Sequence, residues 1–315
     1  MSPERETPGS ARTQLAVAGA RAATAGVFGT STRRGDRVAN ALFLALLLLG
    51  LGIALVALAS ILVWAVIEGA PRLDAGVFTE GPSTLNPEGA GYRTAILGSI
   101  YVICGVIALI VPLGVGAAVY LEEYANRELW YNRLIEVNIQ NLAGVPSIVY
   151  GILGLAFIVR GPLSLGFVAA AGSLTVALLV LPTVIIAARE AIRAVPPSIR
   201  EGALALGATQ WQTIGRQVLP AALPGILTGV ILAISRAIGE AAPLLLVGAV
   251  TFATFNPSFF EGGYSALPVM IYNYAGRPQE EFRELAAAGI IVMLVLLLAM
   301  NSFAIWLRNR YEQEW

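Results

Sequence analysis

The stretch "ISRAIGEAAPLL" (234–245) sets Arg236 and Glu240 four residues apart inside an apolar run. On a helix that spacing puts both side chains on one face, within reach of each other across one turn. Ionised groups at the centre of a bilayer cost on the order of 2.5–3.5 kcal/mol each on insertion scales, and pairing lowers that cost. A guanidinium is also the side chain that matches the oxygens of an oxyanion two at a time. Two roles are open to the pair. Arg236 can offer a transient contact to a passing anion while Glu240 holds it between passages, or the two can lock spans or subunits together. Acid–base catalysis is poorly supported, because Glu240 has no second carboxylate near it in sequence and the chain has no histidine.

The composition says what surrounds the pair. Of 315 residues, 57% are hydrophobic and 13% charged, with a mean hydropathy of +0.74. Soluble domains carry about 25% charged residues, so this is an all-α polytopic membrane protein in contact with lipid, with no charge excess that would draw it to nucleic acid. All 20 cationic residues are arginine. Without lysine the chain cannot form a phosphate loop of the G-x-x-x-x-G-K-[ST] type. Without histidine it lacks the usual general base and the commonest metal ligand. The chain is therefore expected to bind no cofactor or metal of its own, to be no enzyme, and to draw power from another subunit or an ion gradient. The single Cys104 excludes an intrachain disulfide and is expected to be a small packing residue.

Six segments are apolar enough over about 20 residues to cross the bilayer: 39–67, 94–121, 137–159, 164–188, a fifth from about 218 to 255, and 285–307. The fifth is too long for one straight span, and a break is expected at Gly239 or Pro243, where backbone bonding is weakest. In the third, Gly144, Pro146, Ser147 and Gly151 break or narrow the span, either to line a path with freed backbone N–H groups or to let helices pack closely. Residues 1–37 read as a disordered cytoplasmic tail rather than a cleaved signal. The six arginines of that tail, the four between 189 and 216, and Arg308 and Arg310 at the end place both termini inside. The segment 256–285 is external, as a surface helix that contacts a partner or as an aromatic belt at the interface.

Between the fourth and fifth spans lies "AVPPSIREGALALGATQWQTIGRQVLP" (194–220). Ser198 with Glu201 has the spacing of a capping box and predicts a helix start. Gly207 can supply the left-handed cap at its end. Thr209 with Gln212 predicts a second box that opens the helix leading into the membrane. Pro220 and Pro224 then fall where a missing N–H costs little.

This loop resembles the "EAA" loop of bacterial ABC importer permeases: Glu201, Ala203, Gly207, Leu219 and Pro220 match at the family's spacing. Gly202 departs from the usual Ala, and Gln217 stands where Ile is common. "LAGVPSIVYGILGLAF" (142–157), "ISRAIGEAAPLL" and "NSFAIWLRNRYEQEW" (301–315) narrow the resemblance to phosphate-importer permeases, nearer the PstA branch than the PstC branch, from about residue 94 onward. It implies the type I permease fold of six transmembrane helices, N-in and C-in, with a cytoplasmic coupling helix. The chain divides into the tail 1–37, the first span and external loop 38–93, and a permease core 94–315 with the coupling loop at 194–220. The implied function is half of an inner-membrane pathway for inorganic phosphate. The implied partners are a second, PstC-like permease, a dimeric PstB-like subunit that holds ATP and Mg, and an extracytoplasmic PstS-like phosphate-binding protein. Glu201, Gly202, Ala203, Leu204, Leu206 and Gly207 would couple to the ATPase, with Leu204 and Leu206 as anchors in its groove; the bland alternative is an ordinary interfacial helix. Arg236 and Glu240 would lie on the substrate pathway. A permease for sulfate, molybdate or tungstate is the nearest alternative. A gradient-driven transporter is more remote, since no internal repeat is visible.

Overall fold

The computed structural model describes residues 34–126, 128–249 and 256–311. Of the expected 1–37 tail, residues 1–33 lie outside the described residues, and a helix already begins at Arg34. The chain divides into two compact units, residues 1–62 and 63–315. In the first, the described residues belong to helix α1 (Arg34–Gly69), which crosses the unit boundary and is apolar all round, with exposed side chains such as Leu44, Leu48 and Leu55. A helix of that kind is suited to lipid on every side.

The second unit is helical too; among its described residues the sole β feature is an isolated bridge between Ala249 and Tyr264. Its long helices are α3 (Arg93–Val119), α6 (Ala169–Arg193), α9 (Leu219–Gly239) and α12 (Glu280–Tyr311). Shorter ones join them: α2 (Ala75–Thr79), α4 (Trp130–Ala143), α5 (Ser147–Leu153), α7 (Pro197–Ala205), α8 (Gln210–Thr213), α10 (Ala242–Leu246) and α11 (Leu267–Ala275). Wide π turns extend three of them, at Tyr120–Tyr124, Gly154–Val159 and Ile214–Val218. Among the described residues, five helical stretches are long and apolar enough to span, and a bent pair, counted as one span, makes a sixth.

That bent pair is the third span, expected over 137–159 with a break or narrowing at Gly144–Gly151; it starts earlier and turns sharply. Trp130–Ala143 and Ser147–Val159 meet at 108°. Pro146 holds an extended backbone (ψ 138°) and caps the second helix, so α-helix cannot run through it. The fourth helix begins at Ala169, later than the expected 164, because Gly161–Gly166 form turns, with Ser164 at φ +44° and Gly166 at φ +76°. The fifth span starts earlier than 218: α8, its π turn and α9 run on from Gln210 to Gly239. The π turn ends at Val218, two residues before Pro220, which has no backbone N–H to donate into a regular ladder.

The core is the contact of α3, α6 and α9, with Val106, Ile110, Val176, Val180, Val184, Ala233 and Ala237 buried among them. Lipid is as apolar as these side chains, so close backbone approach rather than water exclusion holds such helices together. Gly225 faces Ala191 and Gly229 faces Ala187: a methyl group on either glycine would lie 2.7 and 2.3 Å from the alanine Cβ. Small residues four apart on both helices thus form one antiparallel seam. Cys104, by contrast, is exposed and does not pack the interior as expected.

Polar bonds close the external side. The Asp74 carboxylate accepts from Val77 N–H (3.0 Å) to cap α2, and Arg72 donates to the carbonyls of Pro87 (2.8 Å) and Glu88 (2.6 Å). Helix α11, in the segment expected as either a surface helix or an aromatic belt, is buried along Leu267, Pro268, Val269, Met270 and Tyr274. Its first N–H, from Leu267, donates to Ser99 Oγ (2.8 Å) on α3. The buried Tyr92 hydroxyl donates to the Leu285 carbonyl (2.9 Å). Burial, with Tyr274 beside it, pushes the Tyr92 phenol up from its ordinary value, so it remains a donor.

Candidate functional site

Arg236 lies in the last turn of α9, where a cation favours the helix C-terminus. The helix ends at Gly239. Glu240 leaves helical geometry (φ −80°, ψ 106°) and α10 resumes at Ala242. The break falls at the first of the two positions expected. Across it, Arg236 Nε donates to Glu240 Oε1 at 3.4 Å, with side chains 43% and 18% exposed. The pair is therefore formed, but through one long contact on a half-open face.

The other interrupted span lies alongside. Helix α10 packs on α5, where a methyl group at Gly151 would meet Pro243 Cα at 2.8 Å. Tyr150 braces the bend by donating its hydroxyl to the Leu142 carbonyl (2.9 Å). Two broken helices side by side leave backbone groups that a continuous helix would satisfy internally. Irregular backbone at membrane depth is tolerated where it is buried in protein or lines a water-filled cavity. The chemistry available is that of a fixed guanidinium with a competing carboxylate, suited to a singly contacted, quickly released anion.

The loop 194–220 folds as helix, turn, helix. Its first helix does not use the Ser198–Glu201 box. Pro196 is the cap, Pro197 takes the first helical position, and no side chain caps the start. Ser198 therefore lies inside the first turn and cannot be its N-cap, and Glu201 is left exposed. Gly207 has φ +82°, and its N–H donates to the Leu204 carbonyl (2.9 Å), so the left-handed cap forms. The second box is complete: Thr209 Oγ1 accepts from Gln212 N–H (3.3 Å) and Gln212 Oε1 accepts from Thr209 N–H (2.9 Å). Leu206 is 92% exposed and Leu204 half exposed, beside exposed Gly202 and partly exposed Ala203. The six loop residues thus lie together, presenting an apolar edge with no cover.

Residues that spacing does not point to join this loop to the bundle. Glu123, in the π turn that ends α3, receives Arg200 through Nε (3.0 Å) and Nη2 (2.7 Å). Arg200 also donates to the carbonyls of Ile192 (2.9 Å), in the last turn of α6, and Val195 (2.7 Å), just past it. Gln210 Nε2 donates to the Glu123 carbonyl (2.8 Å). Next to them, Arg189 bonds Glu136 (3.1 Å) and Arg193 bonds Glu122 (3.1 Å). The only hint in sequence is the adjacent pair Glu122–Glu123 opposite an arginine-rich loop.

With this geometry in place, the comparisons carry weight. Residues 110–313 match the family model described as "Binding-protein-dependent transport system inner membrane component". The chain is 34% identical over 276 residues to the phosphate transport system permease protein PstA of Yersinia pestis, covering 86% of this chain and 89% of that protein. To phosphate transport system permease protein PstA 1 of Mycobacterium tuberculosis (strain ATCC 25618 / H37Rv) it is 37% identical over 217 residues, covering 68% of each. Among solved structures, a chain of a bacterial alginate ABC transporter bound to its periplasmic protein superposes with a TM-score of 0.62 at 15% identity, covering 89% of this chain and 98% of that one. A chain of the MetNI methionine ABC transporter gives 0.56 at 15% identity, covering 70% and 95%. Those two share the fold, which is that of type I ABC importer permeases. A bent span, a capped cytoplasmic elbow and a match along most of its length agree: the chain belongs to the inner-membrane components of binding-protein-dependent transport systems.

Proposed function

We propose that the chain is the PstA-type permease subunit of an ATP-driven phosphate importer in the bacterial inner membrane. The observation that carries this is the long match to proteins named phosphate transport permeases, joined to a half-exposed arginine held by one carboxylate at a helix break. In this role the face bearing Arg236 and the two broken spans meets a second, PstC-like permease, and the pathway runs between them. Phosphate displaces Glu240 from Arg236 and is displaced by it in turn, so the anion is held briefly and released. Glu201, Gly202, Ala203, Leu204, Leu206 and Gly207 form the edge that docks into a groove of a dimeric PstB-like ATPase, which holds ATP and Mg; this chain binds neither. A PstS-like binding protein delivers phosphate from outside.

The test is uptake by the complete importer. The complex should carry radiolabelled phosphate in an ATP-dependent way, with sulfate, molybdate and tungstate in excess failing to compete. Competition by one of those anions would instead assign the permease to that oxyanion. Transport by this chain without ATPase subunits would sink the proposal.

A further inference from the structure

Helix α7 has no buried residue. Its apolar hold on the bundle is the partly buried Ile199, so polar contacts carry much of the attachment, and they gather around Glu123 and Arg200. Glu123 is 9% exposed at its side chain and Arg200, in the first turns of α7, 22%. The π turn widens the last turn of the second span, so that two adjacent carboxylates serve different elements: Glu122 meets Arg193 on α6, Glu123 meets Arg200 on α7. Arg200 in turn spends its remaining donors on Ile192 and Val195, and Gln210 at the start of α8 bonds the Glu123 backbone. Glu123, Arg200 and Gln210 thereby tie together the ends of the second and fourth spans, the loop helix and the entry to the fifth span.

We propose that the Glu123–Arg200 pair is the joint that passes displacement of α7 to the second span, making both of them positioning residues of the transport cycle; this rests on the reading of 194–220 as the ATPase-coupling loop. The fork of the guanidinium is what matters. Its Nε (3.0 Å) and Nη2 (2.7 Å) close on Oε1 of Glu123, and the carbonyls of Val195 and Ile192 take Nη1 and Nη2. The planar group is thus held at several points, whereas a lysine in its place is a point charge about which α7 can turn. The bonds to Ile192 and Val195 fix the guanidinium plane, so a push on α7 reaches α3 as translation.

The experiment uses the complete importer with Glu123→Gln, which keeps shape and removes charge, and with Arg200→Lys, which keeps charge and removes the fork. Phosphate moved per ATP hydrolysed is measured beside subunit stoichiometry. Both variants should assemble and hydrolyse ATP, and phosphate moved per ATP should fall about tenfold. An unchanged ratio overturns the proposal. So does failure of both variants to assemble, which would assign the pair to folding. Leu206→Glu forms a separate arm: it should detach the ATPase subunits, and an ATPase that remains bound and stimulated would bring down the coupling-loop reading itself.

Discussion

Two arginine–carboxylate pairs in this chain use the same groups for opposite ends. At the cytoplasmic elbow, Arg200 grips Glu123 with two nitrogens, the shorter contact 2.7 Å, and has its other donors satisfied by carbonyls. At the helix break, Arg236 reaches Glu240 through a single 3.4 Å contact, and its side chain is 43% exposed. An exposed single contact contributes about 0–1 kcal/mol, while breaking a buried, satisfied pair costs about 3–5 kcal/mol. The first arrangement holds a position. The second can exchange its partner for another anion, which a permease pathway requires.

The largest effect that would break this contrast comes from Arg236→Ala. Truncating a charge that bonds a substrate in a desolvated site costs roughly 2–5 kcal/mol, so phosphate uptake should fall by about thirtyfold to several thousandfold. Assembly, followed by co-purification of the subunits, should be retained because the pair contributes little to the fold. Uptake within a factor of about two of the parent would make the pair a structural tie, no different in kind from the elbow.

The contrast also assumes that α9 is stiff up to Gly239, so that the break is confined to two residues. Gly229→Val would set a Cβ about 2.3 Å from that of Ala187 and push α6 and α9 apart. Overpacking of this kind costs roughly 1–3 kcal/mol, and the purified subunit should lose several degrees of thermal stability with a parallel fall in uptake. Unchanged melting would mean that the seam yields freely. A smaller and opposite perturbation is Glu240→Gln. It removes the competitor of the anion, so the KM for phosphate should drop while maximal uptake falls about tenfold, the signature of a ground state bound too well. A raised KM would show that Glu240 helps to bind substrate rather than to release it.

Much of this was legible in the residues and some was not, for physical reasons. Apolar run lengths report how many times the chain can cross, and i, i+4 spacing reports which charges share a face; both were local properties. The 108° bend at Gly144–Pro146 was only half legible, since hydropathy over 137–159 is blind to direction and the proline alone leaves open whether the helix kinks or turns aside. The Ser198–Glu201 box failed because Pro197 occupies the first helical position and takes the start of the helix with it. Cys104 was misplaced because an apolar neighbourhood in a membrane chain describes the lipid face as well as the core. The Glu123–Arg200 joint was invisible for a different reason: 77 positions separate its members, and no periodicity links two loops that tertiary packing brings together.

The smallest predicted effect tests the turn that aims the elbow. Gly207 sits at φ +82°, with no heavy atom near enough for a side chain to strike. Crowding is therefore removed from consideration, and a substitution there reads backbone strain alone. Alanine in left-handed geometry costs roughly 1–2 kcal/mol. The bonds at stake are those from Gly207 and Ala208 N–H to the carbonyls of Leu204 and Ala203, which close α7 and point Leu206 outward. Gly207→Ala should thus leave the bundle intact and lower stimulation of the ATPase by the permease a few-fold, while Gly207→Asn, which tolerates this conformation, should restore most of it. Equal losses in the two variants would show that the site needs the absence of a side chain against the ATPase rather than the freedom of the backbone. The elbow would then be a contact surface at Gly207 and not a turn that merely presents Leu206.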